Sequence, residues 1–234
     1  MGKAIAALAI ERGHIITLNI DADNEEDNTI NALKTADVAI EFTNAATAAV
    51  HLKKCIDAGV PVVCGTTGWM DELKAVEDYC RIQQGTMLYA SNFSIGVNIF
   101  FEINKTLAKL MAGHADYNVT LEEIHHTQKL DAPSGTAITL AEAILDDSAT
   151  KKRWVNKTSK QIDELEIISK RIDPAPGTHS VKYNSIIDDI EIIHTAHSRK
   201  GFALGAVLAA EFIAGKKGVF SMNDVLNINV SENP

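Results

Sequence analysis

Basic residues are in short supply in this chain. Its 22 lysines and arginines are outnumbered by 31 aspartates and glutamates, a formal net charge of −9. Phosphate backbones and anionic bilayers repel such a chain, so neither nucleic acid nor membrane is an expected partner. Cysteine is scarce too: Cys55, Cys64 and Cys80 are odd in number and show no C-x-x-C spacing. A disulfide scaffold is thereby excluded, and reduced, buried thiols in a cytoplasmic protein are expected. Long apolar runs are missing, and the most apolar late segment, 202–214, is interrupted by Glu211 and too short to span a bilayer. The opening "MGKAIAALAIERG" closes on Glu11-Arg12-Gly13 like a helix end and carries no small-residue cleavage site, so it reads as a helix and not as a leader. Internal repeats and low-complexity tracts are absent.

What remains is ordinary globular material, 46% apolar and 23% charged over 234 residues, enough for one large domain or two modest ones. The first half alternates. Helical spacing over 3–12 ends at Gly13, and apolar β-branched runs follow at 14–21, 37–43, 60–68 and 86–94, with helices expected near 45–58 and 71–84. Runs apolar on both faces and separated by helices predict a parallel sheet covered on both sides, a Rossmann-like α/β module. After Ile95 the pattern changes. A long amphipathic helix (96–112) leads to the alternating "DYNVTLEEIHH", a helix from Ser134 to about Leu145 and a polar stretch. The runs "LEIISKRI", "HSVKYNSI" and "DIEIIHTAHS" then predict an α+β module with an open, antiparallel or mixed sheet. The expected division is 1–94, completed by C-terminal helices in 201–234, and 95–200.

In doubly wound sheets, ligands sit outside the carboxyl ends of the strands. Asp21 closes the 14–21 run nineteen positions after Gly2, the spacing expected of an acid that binds ribose hydroxyls. Phe42 and Thr43 close the next run, and "GTTG" (65–68) closes the third. An acid at a strand end also serves as a turn or cap residue, and "GTTG" alone also makes an ordinary loop. One element is lacking. A dinucleotide fold opens with a strand and G-x-G-x-x-G, and here only Gly2 could be a glycine of that motif.

The densest chemistry lies in "EIHHTQKLDAPSGTA" (123–137). Histidines titrate near neutrality and serve as acid or base, and in an extended segment His125 and His126 face opposite sides. Lys129 can converge with one of them. Pro133-Ser134-Gly135-Thr136 opens a helix, with Ser134 as N-cap and the helix N-terminus as an anion site. Together these suggest a small carboxylate substrate that gains or loses a proton. A zinc site is not expected, because the adjacent histidines lack i, i+4 spacing and no third Cys or His is close in sequence. Ser134 reads as a cap and not as a nucleophile.

The same stretch resembles the signature of the 4-hydroxy-tetrahydrodipicolinate reductase (dihydrodipicolinate reductase) family of diaminopimelate and lysine synthesis. The likeness continues through "VVCGTTGW", "ASNFSIGVNIF" and "HTAHSRKGFALGAVLAAEFIAGKKGVFSMNDVL" and covers nearly the whole chain. It implies NAD(P)H-dependent reduction of a small cyclic dicarboxylate by a Rossmann domain joined to a tetramerising α+β domain. It implies His125 as catalytic proton donor and acceptor, Lys129 as second donor, and His126, Gly135 and Thr136 as dicarboxylate-binding residues. Asp21 matches the ribose-binding acid. Phe42 and Thr43, then Gly65, Thr66 and Thr67, then Ala90, Ser91, Asn92 and Phe93 match cofactor segments, and no metal is implied. The chain departs from the family's "FTRP" in having "FTNA", so Asn44 and Ala45 alter that contact. Asp21 and Asp23 favour NADH over NADPH, because carboxylates repel a 2′-phosphate. Two other readings compete: a truncated, cofactor-deficient, non-catalytic relative, and another two-domain amino or imino acid dehydrogenase.

Overall fold

The Ile5 and Ala9 side chains, four residues apart, give helix α1 (Gly2–Glu11) one buried stripe, and Gly13 (φ +89°) ends it in the left-handed region. A computed structural model describes residues 1–228 of the chain. The described residues pack as two units: residues 1–95 with those from Lys200 to 228, and Gly96–Arg199.

In the first unit, α1 is followed by an irregular segment, a 3-10 helix Ala22–Asp27, α2 (Ile30–Leu33) and β1 (Ala39–Glu41). Then come α3 (Ala45–Asp57), β2 (Val62–Cys64), α4 (Met70–Ile82) and β3 (Thr86–Tyr89). Asn44 caps α3 through its side chain, which accepts from Ala46 N at 3.0 Å. That gives the departing residue of "FTNA" a structural task.

The apolar run 14–21 does not form the expected strand. A strand needs a ladder partner about 4.8 Å away. Here the segment is separated from the outer edge of β1 by a groove of about 1100 Å³, whose walls include Ile16, Leu18, Val38 and Ile40. Without a partner the run stays irregular, and Ile15 is left 85% exposed.

The second unit holds α5 (Ile95–Met111), β4 (Asn118–His125), α6 (Gly135–Asp147), β5 (Arg153–Val155), β6 (Glu164–Arg171), β7 (Gly177–Asn184) and β8 (Asp189–Ala196). The sheet order is β5-β6-β4-β7-β8. β4 runs parallel to β6 and antiparallel to β7. The sheet is therefore mixed. β5 lies inside the stretch read as merely polar, too short to leave a period in the sequence. Along β4 burial alternates strictly: Val119, Leu121, Glu123 and His125 share the inner face, whose apolar part packs with Leu140, Ala141 and Ile144 of α6.

The chain then returns to the first unit with α7 (Lys200–Ile213), β9 (Gly218–Phe220) and α8 (Met222–Val225). Strand β9 lies in the stretch expected to be helical. It adds to β3 in parallel, giving the order β1-β2-β3-β9. Alternate residues of the sheet serve opposite layers. Val62, Cys64 and Met87 pack with Leu52, Val76 and Cys80 of α3 and α4. Val63 and Leu88 pack with Ile5 of α1 and with Ala206, Val207 and Ile213 of α7. Each such buried aliphatic side chain contributes about 1.5–3 kcal/mol. The three cysteines are free and buried, and burial pushes the Cys55 thiol up to about 12. Among the described residues no helix is long and apolar enough to cross a membrane.

Candidate active site

In the first unit, three strand ends meet through side chains named by sequence. Glu41, the last residue of β1, is buried and accepts from Thr43 N (3.0 Å), Thr66 Oγ1 (3.0 Å) and Cys64 Sγ (3.0 Å), and also from Thr43 Oγ1. Thr43 N also donates to Thr66 Oγ1 at 2.8 Å. This buried carboxylate, which sequence reading did not single out, locks the loops after β1 and β2 together.

The Phe42 ring lies flat on Gly65. A Cβ at residue 65 would sit 2.2 Å from that ring, so the glycine is required by close approach. Phe42 and Phe93 meet in a tilted pair, ring planes at 52° and centroids 5.5 Å apart. Phe42, Thr43, Gly65, Thr66 and Phe93 are thus brought together, while Thr67 and Ser91 stay exposed beside them. The Thr43 and Thr66 donors are spent within this cluster, so what it could offer the flat end of a nicotinamide nucleotide is the apolar surface of Phe42 and Phe93. Of the glycines expected to approach its phosphates, the described residues supply Gly2, at the start of α1 and with open space around it.

Asp21 does not end a strand. It caps the 3-10 helix, accepting from Ala22 N at 2.8 Å, while its own N–H donates to Asn24 Oδ1 at 2.7 Å. It is exposed and joins none of the contacts among the strand ends described above.

In the second unit, the inner face of β4 ends in polar side chains. Glu123 has 0% exposure and His125 8%. The sheet register sets Glu123 opposite His179 of β7 and opposite Ser169 of β6, and sets His125 opposite Arg171. His125 Nδ1 lies 3.2 Å from Glu123 Oε2, a close contact that falls short of hydrogen-bond alignment. The Glu123 carboxylate also accepts from Ser134 N (3.1 and 3.2 Å) and from an Arg171 terminal nitrogen (3.1 Å). Burial alone would raise the Glu123 pKa. The close His125 ring, the Ser134 and Arg171 donors and the neighbouring Ser169 outweigh it and hold the group far below the usual carboxylate range.

His179 Nε2 sits 3.1 Å from Ser134 Oγ and 3.7 Å from Glu123. Burial, reinforced by the neighbouring His125, pushes its pKa down to about 3, so it stays neutral near pH 7. His179 is the third histidine that sequence proximity could not reveal. Glu123, His125 and His179 bring ligand-type atoms within 4.8 Å of one another. The third histidine, distant in sequence, is thus close in space, and Arg171 already supplies the cation that this carboxylate pairs with.

The loop after β4 is pinned from both ends. Thr127 donates from N (3.1 Å) and Oγ1 (2.5 Å) to Asp173. Arg171 donates to the carbonyls of Lys129 (3.2 Å) and Asp131 (2.6 Å). Lys129 Nζ pairs with both oxygens of Asp131 at 2.8 Å. His126 faces away from His125 and meets Arg199 at 3.1 Å. Ser134 caps α6 by accepting from Ala137 N (3.2 Å), so the cap expected from sequence is present. Gly135 and Thr136 open that helix, Gly135 exposed. Arg171, which joins the Glu123 carboxylate to the lysine-bearing loop, carried no signal in the sequence beyond closing a strand.

Comparison with known proteins identifies the family. A family model described as dihydrodipicolinate reductase, N-terminus, matches residues 1–93, and one described as its C-terminus matches 96–226. The 4-hydroxy-tetrahydrodipicolinate reductase of Christiangramia forsetii is 48% identical over 227 residues, 97% of this chain and 94% of the relative. That of Methanosarcina mazei is 37% identical, over 93% of this chain and 84% of the relative. In fold, the chain is similar to a dipicolinate-bound dihydrodipicolinate reductase from a Paenisporosarcina species (TM-score 0.67, 23% identity, 92% of this chain and 83% of that one). A likeness in fold alone extends to an amine dehydrogenase from Mycobacterium smegmatis (TM-score 0.56, 10% identity, 95% and 92%). With both halves matched and a close relative aligned along almost its whole length, the chain belongs to the dihydrodipicolinate reductase family, oxidoreductases acting on 4-hydroxy-tetrahydrodipicolinate.

Proposed function

We propose that this chain reduces 4-hydroxy-tetrahydrodipicolinate to tetrahydrodipicolinate in diaminopimelate and lysine synthesis, with His125 as the proton donor. The observation that carries the assignment to His125 is its environment: an imidazole on the inner face of β4, against an ionised carboxylate and beside a neutral histidine. When bound, a nicotinamide nucleotide supplies the hydride, and Phe42, Thr43, Gly65, Thr66, Thr67 and the segment Ala90, Ser91, Asn92 and Phe93 would hold it. His125 holds a proton at imidazole nitrogen and delivers it to the ring that takes up the hydride, and the 4-hydroxyl group leaves as water, so one hydride and one proton are consumed for each water released. Lys129 balances charge on the substrate and can supply a second proton. His126 and the N-terminus of α6 at Gly135 and Thr136 bind its carboxylates, as a helix N-terminus does for anions.

NADH is the favoured cofactor. Exposed Asp21, with Asp23 beside it, would repel a 2′-phosphate. A homotetramer is the proposed assembly, supported by apolar side chains left on the surface of the second sheet, among them Ile193 (59% exposed) and Ile190 (39%) of β8. The cytoplasm is the proposed location.

Steady-state kinetics with both nucleotides and the cyclic dicarboxylate substrate test the reading. Substrate-dependent oxidation with the higher kcat/KM for NADH is expected. No turnover with either nucleotide would refute the activity, and an NADPH preference would refute the cofactor choice. Sedimentation as a monomer at micromolar concentration would refute the assembly.

A further inference from the structure

Resting on the assignment of His125 as proton donor, we propose that Glu123 and Arg171 are positioning residues for that donor and link it to the loop carrying Lys129. Four observations carry this. Glu123 is the side chain on β4 with no exposure and a formal charge, and its carboxylate lies 3.2 Å from His125 Nδ1. A carboxylate there stabilises the imidazolium and keeps its Nδ1 hydrogen in place, so the proton given up leaves from Nε2 and the Nδ1–H tautomer remains. Nε2 is kept clear, because residue 177 is glycine and a Cβ there would lie 3.1 Å from it. Arg171 ends the neighbouring strand, directly opposite His125, and one guanidinium reaches the Glu123 carboxylate and the carbonyls of Lys129 and Asp131.

Burying an ion pair is a poor way to gain stability, since desolvation of both charges offsets their attraction. A buried pair that touches both proton-carrying segments is better explained by geometry. The Ser134 N–H, on the same carboxylate, extends the link to the N-cap of α6. No group transfer is assigned to Glu123 or Arg171: they set the tautomer of His125 and the place of the loop.

The test is a double-mutant cycle on the whole chain, with His125→Gln as one arm and Glu123→Gln or Arg171→Gln as the other. Glu123→Gln should lower kcat by roughly 10–100-fold in the parent and by less than about twofold when His125 is already Gln. KM for the dicarboxylate should change far less than kcat. Nitrogen NMR of labelled histidine should show the His125 tautomer altered in Glu123→Gln. Equal losses in both backgrounds, with an unaltered tautomer, would make Glu123 merely structural and overturn the proposal while leaving His125 as donor. Near-normal kcat in His125→Gln alone would overturn the donor assignment itself, and this proposal with it. If Glu123→Gln fails to fold, Arg171→Gln, at a partly exposed side chain, decides by the same criterion.

Discussion

Replacing His179 by glutamine should make the second unit less sensitive to mild acid. In the native chain His179 is buried against Ser134, Glu123 and His125, and its pKa is pushed down to about 3 from an ordinary 6.5, chiefly by burial. Charge on His125, His194 and Lys129 adds to that depression, and the Glu123 carboxylate opposes it. The unfolded chain therefore binds a proton at this residue between those two values and the folded chain does not. Stability is complete above about pH 6.5 and is lost as pH falls towards 3, at up to about 1.4 kcal/mol per pH unit. Between pH 7 and pH 5 the share of His179 is about 2 kcal/mol, an order-of-magnitude figure. Glutamine can keep a hydrogen bond to Ser134 and has no proton to gain. Urea denaturation at pH 7 and pH 5, followed by Trp154 fluorescence on β5, reads the difference. The parent should lose about 2 kcal/mol more than the variant across that interval. Identical losses in the two proteins would refute the claim that His179 is buried and neutral.

Three further outcomes follow from packing and site geometry. Gly65→Ala puts a methyl group 2.2 Å from the Phe42 ring, so the ring must leave. A stability loss of about 1–3 kcal/mol in thermal unfolding and weaker NADH binding by fluorescence titration are expected. Gly205→Ala is harsher, because the new Cβ would lie 1.7 Å from the Phe93 carbonyl oxygen, where backbone and not a mobile ring blocks it. Its loss should exceed that of Gly65→Ala in the same melt. In steady-state kinetics His126→Gln should chiefly raise KM for the dicarboxylate, whereas Lys129→Ala should raise KM and lower kcat together.

The parallel module was legible because its strands are apolar on both faces. Val62, Val63 and Cys64 needed no knowledge of their partners to be read as a buried strand. The run 14–21 has the same composition and failed, because strand state depends on a ladder partner that composition does not report. Strand β9 was missed for the opposite reason: three residues, Gly218 to Phe220, are too few to show a period, and only β3 beside them makes them a strand. In the site, the alternation of β4 put His125 and His126 on opposite sides, and Ser134 was recognisable as a cap. Glu123 lies in that same alternation, two residues before His125, and its burial could have been read from it. His179 and Arg171 could not. Their roles arise from register across β7 and β6, far along the chain from the histidine they surround.

The central claim is that proton delivery belongs to His125 in the second unit, separate from the cofactor contacts of the first. The most direct measurement is kcat of His125→Gln, taken with its dicarboxylate KM and its NADH dissociation constant. The account predicts kcat lowered by roughly 10²–10⁴-fold, with KM and NADH affinity within about twofold of the parent. A near-normal kcat, or a loss of NADH affinity that accounts for the fall, would contradict it.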